Sequence, residues 1–257
     1  MEEMKMFCFQ CQETARGTGC TVKGVCGKLP ELSNRMDILL SVVRGIGVLA
    51  DMLQSYEEAE AFIPDALFST ITNANFDDDS ISWRINKGIE VRQKLYQRAV
   101  AAGKKLPRYS ELMLTCCGID KEKSECNVGV LRYANADVRS LKELTMYGLK
   151  GMAAYYEHSA RLGRRDRRII AFMCHALALI ANPEVGEERL VALVLDTGKM
   201  GVDVMSLLDK ANTSAYGQPE VSKVRTGVGS KPGILISGHD LRDLEDLLRQ
   251  TEGTGID

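Results

Sequence analysis

FCFQCQETARGTGCTVKGVCGK, from Phe7 to Lys28, holds four of the chain's eight cysteines, Cys8, Cys11, Cys20 and Cys26, spaced C-x2-C-x8-C-x5-C. A C-x-x-C pair can place two thiolates on one metal centre, because the intervening turn brings both sulfurs to the same side. The two later cysteines lie among Gly17, Gly19, Gly24 and Gly27. Loops of that kind can wrap an inorganic core without Cβ clashes. Four thiolates suit a cubane-type iron–sulfur cluster or a structural zinc. Zinc sites more often pair two short C-x-x-C knuckles, and the second half here is the looser C-x5-C. Phe7, Phe9, Val22 and Val25 add apolar surface that can shield a cluster from water. The ligand type favours iron over zinc, and zinc stays open. A disulfide framework fits poorly, since the N-terminus MEEMKMF has no apolar signal core.

The chain has 257 residues, 45% hydrophobic and 26% charged, with a net charge of −2. That is room for one large domain or two ordinary ones of a soluble protein. The interspersed charges give no case for nucleic acid or for an anionic membrane surface. No apolar run reaches the roughly 18 residues that span a bilayer. Eight cysteines without an export signal point to a reducing cytoplasm.

Beyond the loop, apolar residues recur at three and four positions. Met36, Leu39, Leu40, Val43, Ile46, Ala50 and Leu53 predict a helix, capped by Ser33 or Asn34. Pro64 to Asn75 predicts a second. Asp77–Ser80 reads as a turn and cap, opening a third with Ile81, Ile85, Ile89 and Leu95, closed near Gly103. A second set follows. Asp137 can cap a helix carrying Leu141, Leu144, Tyr147, Gly148, Met152 and Tyr155, closed near Gly163. The others run from Arg164 to Ala181, stopped by Asn182-Pro183, and from Glu187 to Lys210. The fold class expected is mainly α, two tandem three-helix bundles at about 31–103 and 137–210 within a helical domain 31–211. A cysteine loop (1–30) precedes it and a polar linker (212–231) follows. Residues 232–257 then read as one strand, Ile234-Leu235-Ile236, one helix with Leu241, Leu244, Leu247 and Leu248, and a stop: the start of a truncated Rossmann-like α/β domain.

Three further features could bear chemistry. Cys116, Cys117 and Cys126 lie in an irregular stretch, but adjacent cysteines diverge and chelate poorly, so they read as buried or spare thiols. Cys174-His175 tempts as nucleophile and base. Successive helix positions point about 100° apart, so the pair does not face itself, and His158 and His175 read as structural. His239 falls at a strand's C-terminal end, where open α/β sheets place ligands.

FCFQCQETARGTGCTVKGVCGK resembles the N-terminal signature of the hybrid cluster proteins, also called prismane proteins or hydroxylamine reductases. LKELTMYGLKGMAAYYEHSARLG (141–163) and KPGILISGHDLRDLEDLLRQTEGTG (231–255) match too, so the resemblance runs through the whole chain. It implies a [4Fe-4S] cluster on Cys8, Cys11, Cys20 and Cys26, the compact spacing being the one that carries this cluster in the family. A longer-spaced variant carries [2Fe-2S]. It implies that His239 in GHDL ligates a second, iron–sulfur–oxygen hybrid cluster. The remaining ligands, cysteines, glutamates and a lysine farther along the family's chains, have no counterpart here.

The whole protein is thereby expected to reduce hydroxylamine or nitric oxide. A ferredoxin-like or NADH-linked reductase would donate the electrons. The 257 residues alone are expected to be inactive; the partner expected is a second copy in a homo-oligomer or a complementing C-terminal chain. Two readings stay beside it: a stand-alone electron-transfer or redox-sensing module, and a zinc-stabilised helical scaffold.

Overall fold

The computed structural model describes residues 5–109, 112, 128–224, 226–238 and 240–256. They are mainly helical, in the order α1 (Pro30–Leu53), α2 (Glu57–Glu60), α3 (Ile63–Ser69), α4 (Asp78–Ala101), α5 (Ala136–Arg161), α6 (Arg167–Ala181), α7 (Glu187–Tyr216) and α8 (Leu241–Thr251). Among the described residues no helix is long and apolar enough to cross a membrane.

The helix ends follow local chemistry. Asp77 caps α4 as expected, its Oδ1 accepting from the backbone N–H of Asp79 (3.0 Å) and Ser80 (3.2 Å). Asn135, not Asp137, caps α5; its Oδ1 accepts from Asp137 N (2.8 Å) and Val138 N (3.1 Å). Asp137 instead lies in the first turn, where a carboxylate meets the positive end of the helix. Neither Ser33 nor Asn34 caps α1. That helix starts one turn earlier at Pro30, whose fixed φ and missing N–H suit the first position. α7 runs on to Tyr216 and stops at Gly217 (φ 89°), so it takes up the start of the stretch expected as a linker.

Helix α1 is the hub. It packs most closely against α4 and α6, while α3 packs against α5 and α5 against α7. Side chains from both expected helix sets, such as Leu39, Ile81, Met146 and Leu177, therefore join one continuous core. The α1–α6 approach depends on Gly47, where a Cβ would stand 2.5 Å from Leu177 Cβ and 3.3 Å from Cys174 O. Gly47→Ala is expected to destabilise by about 1–3 kcal/mol through overpacking. The gain in helix propensity of about 1 kcal/mol does not offset this when two backbones are forced apart. Denaturant melting checks it, and an unchanged or raised midpoint rules it out.

Two expectations fail. On α5 the inward face is rotated from the one read off the apolar residues: Leu144 is 52% exposed, while Lys142, Glu143 and Lys150 are buried. The apolar count misplaced the face because charged side chains occupy the core-facing stripe. No strand forms over Ile234-Leu235-Ile236, which are 44%, 98% and 49% exposed. A strand needs a neighbour to take its N–H and C=O groups. Among the described residues the one ladder pair is an isolated bridge in the cysteine loop.

Candidate metal centre

The loop folds back on itself before α1. Lys5 N and Met6 N donate to Thr21 O (2.9 and 3.1 Å). Cys8 and Cys20 then form an antiparallel bridge, Cys8 N to Cys20 O at 3.1 Å and Cys20 N to Cys8 O at 2.8 Å. Residues paired directly across such a bridge put their side chains on one side of the ribbon. The connecting turn passes through left-handed Arg16 (φ 57°) and Gly17 (φ 69°). Gly19 must be glycine: its φ is 133°, and a Cβ would lie 2.8 Å from the Phe7 ring. A second return places Gly24 N on Lys28 O (2.9 Å) and brings Gly24 against Cys26 Sγ.

The four cysteines are graded by exposure. Cys20 is buried, Cys8 and Cys11 are half-buried, and Cys26 is exposed. Cys20 Sγ accepts the backbone N–H of Ala15 (3.5 Å). Among the described residues no three Cys, His, Asp or Glu side chains converge to metal-binding distance. The loop thus sets Cys8 and Cys20 opposite each other without gathering a third donor. The donor set still fits an iron–sulfur cluster in its chemistry: soft thiols, a backbone donor to sulfur, and glycines that let the chain bend closely. His239, Cys116, Cys117 and Cys126 lie outside the described residues. Cys174 is buried and its thiol is pushed up, chiefly by burial; the His175 side chain is 44% exposed and pairs with Asp51 (3.3 Å). His158 meets Asp240 at 2.8 Å.

The helical core holds the loop partly by groups the sequence did not single out, Lys28 and Lys150 among them. Lys150 Nζ donates to Gln10 Oε1 (3.1 Å) and Thr70 O (3.2 Å). Lys28 Nζ lies 3.4 Å from Met36 Sδ. Asn34 Nδ2 donates to Lys5 O (3.0 Å), and Phe9 stacks edge-on against Tyr147 (6.1 Å). Behind Cys8 is a cavity of about 30 Å³, large enough for water, lined also by Asp37, Arg44 and Glu143. Burial pulls the Lys150 ammonium down to about 8, with Glu143 opposing. Burial pushes the Glu143 carboxyl up against the pull of Arg44, and pushes the Tyr147 hydroxyl up, with Glu143 and Cys8 adding to it. One sequence signal could have found this cluster. Glu143, Met146 and Lys150 are spaced three and four apart, so charge shares a stripe with a core methionine.

Comparison with known proteins follows the same residues. The Prismane/CO dehydrogenase family matches residues 6–257. A hydroxylamine reductase of Desulfitobacterium hafniense (strain Y51) is 51% identical over 263 residues, covering 99% of this chain and 48% of the relative. One from Bacteroides thetaiotaomicron is 53% identical over 258 residues, covering 99% and 47%. One from Clostridium botulinum (strain Kyoto) is 48% identical over 284 residues, covering 99% and 50%. The chain spans about half the length of the curated relatives it matches. With its cysteine loop and helical core matched from Met6 onward, the chain belongs to the Prismane/CO dehydrogenase family.

Proposed function

We propose that the chain is the N-terminal part of a hybrid-cluster-type oxidoreductase that reduces hydroxylamine. Its electrons enter through a [4Fe-4S] cluster held by Cys8, Cys11, Cys20 and Cys26. The observation that carries the reading is the cysteine loop: Cys8 opposite Cys20, the Cys20 sulfur bonded to a backbone N–H, and Cys26 at the surface. Such a cluster supplies one-electron transfer when bound. The chain's own residues do the rest. Phe7 and Phe9 keep water from the inner side of the loop, and Lys150 and Asn34 fix it to the helices. Exposed Cys26 marks the side open to a donor, a ferredoxin-like or NADH-linked reductase. In the whole protein, hydroxylamine takes up two electrons and two protons to give ammonia and water, and nitric oxide is a further substrate of the same kind. His239 is assigned to the second, hybrid cluster of that protein, residues 232–257 to the start of its α/β domain, and the compartment to the cytoplasm.

Anaerobic reconstitution of the 257-residue chain with iron and sulfide tests the cluster assignment. About four irons and four sulfides per chain are expected. One zinc without sulfide would return the chain to a structural scaffold.

A further inference from the structure

Two lysines in the wall behind the cysteine loop are unusual. Lys28 is 3% exposed and Lys150 4%. A buried ammonium is costly unless an opposite charge compensates it. Yet the hydrogen-bonding partners of both are neutral: the Met36 sulfur for Lys28, and the Gln10 amide oxygen and Thr70 carbonyl for Lys150. Neither forms an ion pair among the described residues. Glu143 lies within electrostatic reach of Lys150, but burial holds its own carboxyl toward the protonated form. Both lysines share one cavity wall with Cys8, and the Gln10 that Lys150 grips stands between Cys8 and Cys11 in the chain. Asp37 on the same wall also acts on Lys150, while Arg44 adds a third cation to that wall. Cys8 acts on Lys150 too, so the loop thiolates are a further negative charge that these ammonium groups can serve.

We propose that Lys28 and Lys150 are the built-in counter-charges of the cysteine loop and set the reduction potential of the cluster it holds. The inference rests on the iron–sulfur reading above. A cluster on thiolates is anionic in both redox states and gains one more negative charge on reduction. A fixed positive charge nearby stabilises the reduced state more, so it raises the potential. At a buried wall the effect is larger than at the surface and less screened by salt. The lysines touch no reacting atom and act as positioning and field-setting residues.

The test is a redox titration, followed by electron paramagnetic resonance, of the anaerobically reconstituted chain and its variants. Lys150→Met and Lys28→Met are each expected to shift the midpoint potential to more negative values at unchanged iron content. Lys150→Arg and Lys28→Arg should stay level with the parent. Lys199→Met, at an exposed lysine paired with Asp196, should not shift it. Methionine variants that load fully and keep the parent potential overturn the proposal, and so does an equal fall in the arginine variants. Where a methionine variant loses its iron, retention in the matching arginine variant upholds the role of charge, and loss in both overturns it. A parent chain that takes up no iron and sulfide fails differently, removing the cluster reading itself and this inference with it.

Discussion

Cys20→Ser is expected to abolish iron and sulfide uptake while leaving the helical content intact. Cys20 is the most enclosed of the four cysteines, and its backbone is tied in both directions to Cys8. Its sulfur also takes the Ala15 N–H. A serine oxygen at that point is harder, shorter and a poor match for thiolate-preferring iron. Cys174→Ala, by contrast, removes a thiol buried in the core between α1 and α6 and should load fully. Iron and sulfide analysis together with circular dichroism reads both variants. A Cys20→Ser chain that still carries about four irons defeats the ligand assignment.

Leu39→Ala is expected to lower stability by about 2–5 kcal/mol, the cost of lost burial plus the cavity left behind. Leu39 is fully buried on α1, the helix that α4 and α6 both pack against. A side chain at such a hub leaves a void that neighbouring helices cannot close without breaking contacts elsewhere. For a chain of this size the melting temperature should fall by roughly 5–15 °C. Leu195→Ala on the outer face of α7, at 62% exposure, should change it little. A thermal melt of Leu39→Ala within 2 °C of the parent, on the order of 1 kcal/mol or less, would show that the core collapses freely around α1.

The helices were legible because apolar spacing of three and four dominates α1, α4, α6 and α7. Their ends were less so. Leu29-Pro30 starts α1 without any side-chain cap, and Gly217 rather than Lys210 ends α7. The face of α5 was misread because Lys142, Glu143 and Lys150 look like solvated residues in a sequence. In the packed structure they turn inward. The cysteine loop was legible as a donor set. Its pairing of Cys8 with Cys20, and the buried lysines behind it, depend on contacts between residues as far apart as Gln10 and Lys150. Ile234-Leu235-Ile236 carries strand-like residues but finds no partner edge in the described chain.

The position of α1 between α4 and α6 also bears on how the chain is made. During synthesis Leu53 is complete long before Ala181, the last residue of α6. At about 5–20 residues per second, that interval lasts roughly 6–26 s. Once Ala101 is made, α4 can cover the Val42 side of α1, where Gly88 lets the two helices close. The Gly47 side has no cover until Leu177 arrives. A nascent chain paused anywhere before α6 thus presents a sticky, smooth-sided groove along its first long helix. Until α6 covers it, that apolar face is open to misassociation.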